Sequence, residues 1–434
     1  MNKTRLFKKT LLAVTITSAT LASQHALAAG FQLNSQSATG LGRAFAGDAV
    51  IADNASVMSR NAAAMSLFDR TEMSLGFNII DSDVDVKDVT HVRPVLAGGT
   101  KTDVENTQND ATSFVPNLYV LHPVNEKFAV GLGVYSNYAT TNEFDGAWGQ
   151  GTGAILPGPT AIPGADAFGG TTNLSTMNLL LAASYRLNEQ WSFGGGLDVI
   201  YGQGELKRKT NFQGSPAPEQ ELLDIDADGF GFGFNLGTVF ELNENNRFGL
   251  SYHYSPEIKA SGTAKKYNSS TRALEDIGKV KIALPSRAEF SGYHRIEDTK
   301  FAVHYSIQYI SWSDFEELGS TSGTQVKEYK WKDTYHYSIG GTYYIDQNWE
   351  ARVGYMFDQG VQDNLTSVSV PDSDRQWFSA GATYHLNNDQ SIDLGFTYLT
   401  SKEKKVNDDL SGVSLEAKTQ ATAILFGAQY THKF

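Results

Sequence analysis

Residues 187–201, with the sequence LNEQWSFGGGLDVIY, decide the fold. The first four residues form a short polar connection. From Trp191 to Tyr201, rings and aliphatic side chains then recur at most odd-numbered positions, while Ser192, Gly194, Gly196 and Asp198 stand at even-numbered ones. Side chains of a β-strand alternate between its two faces, so an apolar pattern with a period of two residues is typical of a strand. This stretch therefore predicts a turn followed by a strand with one apolar and one polar face.

The same alternation recurs along most of the chain. In YHYSIGGTYYI, residues 335–345, Tyr and Ile side chains share one face, and the final stretch, ILFGAQYTHKF, ends in Phe434. Because the period is again two, each stretch predicts a further strand. The other clear stretches are residues 301–309, 349–357, 378–386 and 392–398.

The connections between these strands are of two unequal kinds. Six are short and rich in Asn, Asp and Glu, namely PVNEK, LNEQ, LNENN, IEDT, IDQN and LNNDQ, whereas residues 140–174 and 209–227 form long stretches. Six short turns give twelve strands. A first strand at about 72–86, followed by a loop to 111, and a last strand from about 414 to Phe434 give fourteen.

An even number of strands, with short turns on one side and long loops on the other, is typical of outer-membrane β-barrels. Rings near strand ends, at Trp191, Trp349, Tyr335 and Phe378, fit the aromatic girdles that meet lipid headgroups. We therefore predict an all-β fold, a 14-stranded antiparallel transmembrane barrel.

Composition excludes the main competing classes. The 434 residues include 24 Phe, 20 Tyr and 6 Trp, which is more apolar surface than a disordered chain carries. The absence of Cys excludes a disulfide scaffold, and no apolar run after residue 28 reaches the roughly 20 residues of a membrane helix. The net charge of -13 argues against nucleic acid as a partner.

No cofactor or metal is expected. The sequence from Asp224 to Gly229 copies the first half of a calcium loop, but Asn235 stands where such a loop requires Glu. GLGRAFAG lacks the spacing of a dinucleotide fingerprint, and no nucleophile-elbow motif is present.

The N-terminus predicts export. Basic residues precede the apolar run LLAVTITSATLA, and Ala26-Leu27-Ala28 offers small residues where a signal peptidase cleaves. Residues 1–28 are therefore predicted to be a signal peptide, since the run is too short for a membrane anchor. We expect residues 71–434 to form the barrel in the outer membrane of a Gram-negative cell.

Residues 29–70 do not alternate and precede the first predicted strand. Small residues dominate them, with a few large apolar ones such as Phe31 and Phe45. Such a segment must lie inside the barrel, hang in the periplasm or cover an opening, and a barrel of fourteen strands has room for a plug. We predict a hatch inside the lumen; the alternative is a disordered tail.

The stretch AGFQLNSQSATGLGRAFAGDAVIADNASVMSRNAAAMSLFDR, residues 29–70, resembles the hatch of the FadL family of outer-membrane long-chain fatty acid transporters. Further similar stretches, in the same order, include VPNLYV, SNYATTNEF, GFGFNLGTVFELNENNRF and PDSDRQWFSAGATY. The resemblance thus extends from the hatch to the last strands. It implies a fourteen-stranded barrel, blocked by a hatch, with a kink in the third strand that opens the wall sideways.

The resemblance also implies the functional positions. The family's fatty acid site uses an Arg and a Lys, which match Arg208 in ELKRK and Lys327 in VKEYKWKD. The kinked strand matches Ser136, Asn137, Tyr138 and Ala139. The hatch would include Phe31 and a turn that is Asn-Pro-Ala in the family but Asn61, Ala62 and Ala63 in this sequence, so that the fixed φ of proline is lost.

Strand parity gives a separate argument for the charged positions. Arg208 has the parity of the face opposite Trp191 and Tyr201, and an Arg facing lipid would cost roughly 2–4 kcal/mol. Asp358 and Arg375 point inward by the same reasoning and could hold the hatch. Lys327 has the parity of outward Tyr335, so a loop or bulge would have to reset it.

We therefore predict passive transport of long-chain fatty acids: capture at outer loops, binding in the lumen, hatch rearrangement and lateral release. Neutral aromatic hydrocarbons are the alternative ligands, while a lipid-acting barrel enzyme and a water-filled porin are two less favoured functions. Expected partners are hydrophobic small molecules, outer-membrane lipid and lipopolysaccharide, with the barrel as a monomer and not an enzyme.

Overall fold

The computed structural model describes residues 30–94, 98–155, 161–212, 219–363, 365–410 and 412–434. The predicted signal peptide, residues 1–28, lies outside the described residues. No described helix is both long and apolar enough to cross a membrane.

Fourteen antiparallel strands form the wall, as predicted. Each strand pairs with the next, and the first also pairs with the last from Glu72↔Lys433 to Val92↔Ser414, which closes the barrel. Closure removes the unpaired edges that an open sheet would expose. Four strands are made of two pieces. The strands are β1 Glu72–Val92, β2 Thr107–Asn125, β3 Phe128–Tyr135 with Ala139–Glu143, β4 Thr171–Arg186, β5 Trp191–Thr210, β6 Gln220–Asn243, β7 Asn246–Tyr254 with Glu257–Asn268, β8 Val280–Ala283 with Arg287–Arg295, β9 Phe301–Ile310, β10 Thr334–Tyr344, β11 Trp349–Asp358, β12 Arg375–Asn387, β13 Gln390–Ser401 with Lys404–Leu410, and β14 Val413–Lys433.

The long connections carry short elements of their own. Among the described residues, four short strands add to the wall sheet, two form a separate small sheet, and a 3₁₀ helix lies in each of two loops. The strands are Lys101–Asp103, Ala154–Ile155, Ala161–Ile162, Ala273–Asp276, Glu317–Ser320 and Gln325–Glu328; the 3₁₀ helices are Ala165–Phe168 and Trp312–Asp314.

On the side of the barrel with the long loops, the strands are longer than the sequence predicts. The expected loop 209–227 is wrong in extent, because β5 runs to Thr210 and β6 begins at Gln220. Beyond Tyr201 the outward side chains change from rings to Glu205 and Lys207. The backbone ladder continues there, but the apolar alternation that reveals a lipid-facing strand has ended.

The wall has two chemically different faces within the membrane. Outward side chains are large and exposed, among them Leu197 at 68% and Phe232 at 72%. Inward side chains on the same strands include buried Asp198 and Asn235, which meet over a hydrogen bond of 3.4 Å. An apolar exterior and a polar interior are the arrangement expected of a transmembrane barrel.

The N-terminal segment, residues 30–70, lies inside the barrel. Three short helices, Ala38–Leu41, Ala55–Ser59 and Ala62–Leu67, begin at Ser37, Asn54 and Asn61, whose side chains accept backbone N–H groups. Such capping satisfies amide groups that helix ends leave unpaired.

Wall strands hold this segment from several sides. The Asn78 side chain of β1 donates to Ser35 O at 2.8 Å, and the Ser306 hydroxyl of β9 donates to Phe45 O at 3.2 Å. From β13, the Thr397 hydroxyl donates to Leu41 O at 3.2 Å. Contacts spread around the wall fix the segment across the lumen.

A buried ion cluster organises the segment. Arg43 pairs with Asp53 and, at 2.7 Å, with Asp48, while Arg60 lies 3.6 Å from Asp48 and 3.4 Å from Glu289 on β8. A buried charge is costly unless it is paired. The pairing with Glu289 therefore links the fold of the segment to its position in the barrel.

Glycines on the inward face allow the segment to approach the wall backbone. A Cβ at Gly354 of β11 would lie 2.1 Å from Arg43 O, and one at Gly194 of β5 would lie 2.3 Å from Ala63 N. Any larger residue at these two positions would displace the backbone of the segment.

Candidate functional site

An apolar cavity lies at the long-loop end of the lumen, next to the N-terminal segment. In this part of the barrel β5, β6 and β8 each direct aliphatic side chains inward, such as Leu206, Ile225 and Ile282, whereas many outward positions are charged. The cavity lining combines these aliphatic residues with rings from the loop after β9. It includes Leu174, Leu206, Ile225, Ala227, Val280, Ile282, Phe315, Leu318, Tyr329, Trp331 and Val370, together with Phe31.

Phe31 forms one wall of the cavity and is held by an aromatic cage. Its ring centroid lies 4.8 Å from Trp312, 5.2 Å from Phe315 and 5.6 Å from Trp331, and 6.0 Å from Tyr138 of the broken strand β3. Three of these pairs, all but that with Trp331, are edge-to-face, an arrangement that stabilises the contact beyond the burial of apolar area. The start of the N-terminal segment is thus part of the cavity itself.

Arg208 lies beside the cavity on the inward side of β5. Its guanidinium donates to Thr171 O and to Thr172 Oγ1, both at 2.6 Å, and to Lys207 O at 2.8 Å. Thr172 also lines the cavity. None of its hydrogen bonds goes to a carboxylate of the described residues, although the Asp408 carboxylate is near enough to attract its charge.

Lys327 approaches the same place from a loop. It lies on the short strand Gln325–Glu328 rather than on β10, so the parity of Tyr335 does not determine its direction. Its ammonium donates to Asp408 and lies 5.8 Å from the centroid of cavity residue Tyr329. Burial lowers the pKa of Lys327, an effect that Asp408 opposes and Arg208 reinforces.

The wall is discontinuous beside this site. The ladder between β2 and β3 ends at Leu118↔Val134, and β3 itself is interrupted at Ser136, Asn137 and Tyr138 before it resumes at Ala139 alongside β4. From Ala139 onward, β3 pairs with β4 alone in the described ladders. Its edge facing β2 is therefore not paired with a wall strand.

The N-terminal segment covers the interruption from inside. Leu33 N donates to Asn137 O at 2.6 Å, Ala139 N donates to Phe31 O at 2.9 Å, and the Gln32↔Tyr138 pair lies between these bonds as an antiparallel bridge. Residues 31–33 therefore act as one further strand against the break. The same short stretch lines the cavity through Phe31.

The Asn61 turn is held by its side chain. Asn61 Oδ1 accepts Ala63 N at 3.0 Å, and its Nδ2 donates to Ala49 O at 2.9 Å and to Thr238 O of β6 at 3.1 Å. Ala62 begins the 3₁₀ helix at the position of the family's proline. These hydrogen bonds restrain the turn where the fixed φ of proline is missing.

Asp358 and Arg375 lie next to one another in the lumen, with Arg375 Nη1 3.7 Å from Asp358 Oδ2. Each is connected to the N-terminal segment through one intermediate residue that contacts both. Arg375 pairs with Asp372, whose carboxylate accepts Gly30 N at 3.3 Å, and Asp358 lies 3.0 Å from His336, which contacts Asn34 at 3.5 Å.

Sequence reasoning missed Asp408, Asp372 and the cage of Trp312, Trp331 and Phe315. Asp408 carried a usable signal, because it shares the inward parity of Val406 and stands among apolar inward residues. The cage residues lie on loops without periodicity, and only the folded chain brings them to Phe31.

Comparison with known proteins places this geometry in a family. The model described as outer membrane protein transport protein (OMPP1/FadL/TodX) matches residues 19–434. The chain belongs to this family. It is therefore an outer-membrane protein, as predicted. The chain is 35% identical to the long-chain fatty acid transport protein of Salmonella typhi and 34% identical to that of Escherichia coli strain K12, with all of each chain covered.

Other FadL/TodX relatives extend the comparison. Outer membrane protein P1 of Haemophilus influenzae is 32% identical over 99% of both chains. The solved structure of a Pseudomonas aeruginosa FadL homologue has a TM-score of 0.80 at 21% identity, covering 94% of this chain and 100% of the homologue. The Pseudomonas putida toluene transporter TodX has a TM-score of 0.63 at 16% identity, covering 88% and 94%. Both share the barrel fold.

Proposed function

We propose that this FadL/TodX family member carries long-chain fatty acids passively across the outer membrane. Loops capture the ligand, the apolar cavity binds its chain, and Arg208 receives its carboxylate. The N-terminal segment acts as a hatch: its movement opens the interruption in β3 and the ligand leaves sideways into the membrane. The names of the 35% and 34% identical relatives support the ligand class.

The observation that carries this proposal is that residues 31–33 contact both the cavity and the interruption in β3. Phe31 lines the cavity, and the backbone of the same residues is bonded to Asn137 and Ala139 at the interruption. A ligand chain that enters the cavity competes with the Phe31 ring for the aromatic cage. Displacing that ring strains the two backbone hydrogen bonds that cover the wall.

Chain and headgroup would make different contributions to binding. Burying methylenes is worth roughly 0.8 kcal/mol per CH₂, so about ten of them outweigh a charge-assisted hydrogen bond of roughly 1.5–3 kcal/mol. The chain thus supplies most of the affinity, whereas Arg208 selects an anionic head. Its lack of a hydrogen bond to a carboxylate among the described residues supports that role.

Neutral aromatic hydrocarbons are the second candidate ligand. The apolar lining and the aromatic cage favour them, and TodX of Pseudomonas putida is named a toluene transporter. For such a ligand Arg208 would be dispensable. The same wall interruption would release either molecule.

Asp358 and Arg375 would hold the hatch in its closed position. Through Asp372 and His336 they reach Gly30 and Asn34, at the start of the segment. We expect their loss to loosen residues 30–34 without changing the apolar cavity directly.

Uptake measurements separate the two ligand classes. A strain that lacks its own transporter would express the wild type, Arg208→Ala/Lys327→Ala, or the control Lys207→Ala, which removes an exposed outward cation on the same strand. We expect the double variant to lose uptake of radiolabelled oleate and to keep uptake of toluene. Unchanged oleate uptake by the double variant would overturn the carboxylate site, whereas a wild type that takes up toluene but not oleate would favour the hydrocarbon.

A further inference from the structure

The ammonium group of Lys327 is fully occupied by groups of the protein. It donates to Asp408 Oδ1 at 3.0 Å, to Asp408 Oδ2 at 2.9 Å and to Ser367 Oγ at 2.8 Å. A lysine has three N–H donors. All three therefore have acceptors, and Asp408, only 2% exposed, compensates the charge as well.

Arg208 is in the opposite condition. A guanidinium has five N–H donors, and its three hydrogen bonds go to two backbone carbonyls and one hydroxyl, none of which is charged. Donors remain for a planar carboxylate, which Arg binds well. The two cations that sequence similarity pairs together are thus unequal.

We propose that Asp408 is a specificity-determining residue of this site. By compensating Lys327, it leaves one net positive charge, on Arg208, and so matches the site to a ligand with one ionised carboxylate. This inference rests on the proposed function. Without Asp408, two neighbouring cations would face the ligand, and the preference for an anionic head over a neutral one would rise.

Asp408 also has a structural contact that the test must separate from its charge. Its Oδ2 accepts Val368 N at 3.3 Å, and Val368 belongs to the loop whose Val370 lines the cavity. Loss of that contact would affect every ligand chain alike. A change in the ratio of affinities for an acid and its matching alcohol reports on charge alone.

The experiment compares binding of laurate and dodecanol to the purified full-length protein. We expect Asp408→Asn to raise the laurate-to-dodecanol affinity ratio roughly tenfold or more, the size of one charge-assisted hydrogen bond. The control Asp409→Asn, at an exposed neighbouring position with outward parity, should leave the ratio unchanged. An unchanged ratio in folded Asp408→Asn overturns the proposal.

A second pair of variants keeps the test decisive if Asp408→Asn folds poorly. Lys327→Met leaves the Asp408 carboxylate uncompensated and should lower the ratio, whereas Lys327→Met/Asp408→Asn removes the pair together and should restore it. A double variant as low as Lys327→Met overturns the inference. If Arg208→Met leaves the wild-type ratio unchanged, the proposed carboxylate site itself fails.

Discussion

Gly354 offers the sharpest test of how the N-terminal segment is seated. Gly354→Ala places a Cβ 2.1 Å from Arg43 O, 2.2 Å from Arg43 C and 2.8 Å from Ala44 N, which are all backbone atoms. Because no flexible side chain can move aside, the segment itself must shift by roughly 1 Å or more to reach van der Waals distance. Arg43 carries the ion pairs to Asp48 and Asp53, so the shift also strains the buried cluster.

Overpacking of this kind costs roughly 1–3 kcal/mol. About 1.4 kcal/mol corresponds to a factor of ten in an equilibrium constant. The fraction of molecules in which the N-terminal segment is displaced from the wall should therefore increase roughly 5- to 150-fold. Hydrogen exchange of peptides covering residues 38–51 measures that population, and sensitivity of cells to a large antibiotic reports whether the lumen opens.

The matched control is Gly341→Ala on neighbouring β10, where the added Cβ meets only Ala302 O at 3.5 Å. It should leave exchange in residues 38–51 as in the wild type. If Gly354→Ala also exchanges like the wild type, the close approach of the segment to β11 does not contribute to its seating, and the reasoning is refuted.

Two further predictions concern the turn and the loops. Asn61→Ala removes the acceptor for Ala63 N and should lower the stability of the segment by about 0.5–2 kcal/mol, which faster hydrogen exchange at residues 61–67 would reveal; unchanged exchange would contradict it. Burial raises the pKa of Asp166, in the loop after β3, to about 6 from 3.8. The folded loop thus binds more protons than the unfolded one between these values, so its stability should fall as pH rises from about 4 to 6. Asp166→Asn should remove this pH dependence of loop proteolysis; a persisting dependence would exclude Asp166 as its source.

The wall was predictable from the sequence because lipid and lumen impose alternation on each strand. Leu197 and Asp198 are neighbours in the chain, yet one is exposed and the other is buried. The short polar turns then gave the strand count. Above the membrane this signal ends, since outward positions such as Glu205 become charged, and the extent of the strands could not be predicted.

The cavity was less accessible to sequence reasoning. Family similarity identifies Arg208 and Lys327. It does not predict that the Lys327 ammonium donates to Asp408, which lies 81 positions later in the chain. Nor does any local pattern place Trp312 and Trp331 around Phe31. These contacts depend on loops folding inward, where neither periodicity nor turn chemistry specifies the arrangement.

The most direct test of the central claim locks residues 31–33 to the wall. The chain has no Cys, so Gln32→Cys/Tyr138→Cys introduces one defined pair at the antiparallel bridge. Cα atoms of a non-hydrogen-bonded antiparallel pair lie about 4.5 Å apart, within the range of roughly 4.4–6.8 Å of disulfides.

Uptake of labelled oleate is then measured before and after reduction, with each single Cys variant as a control for the lost side chain. The account predicts that the oxidised double variant binds oleate but does not transport it, and that reductant restores transport to the level of the single variants. Equal uptake by the oxidised and reduced forms would contradict the claim that these residues must leave the wall for the ligand to pass.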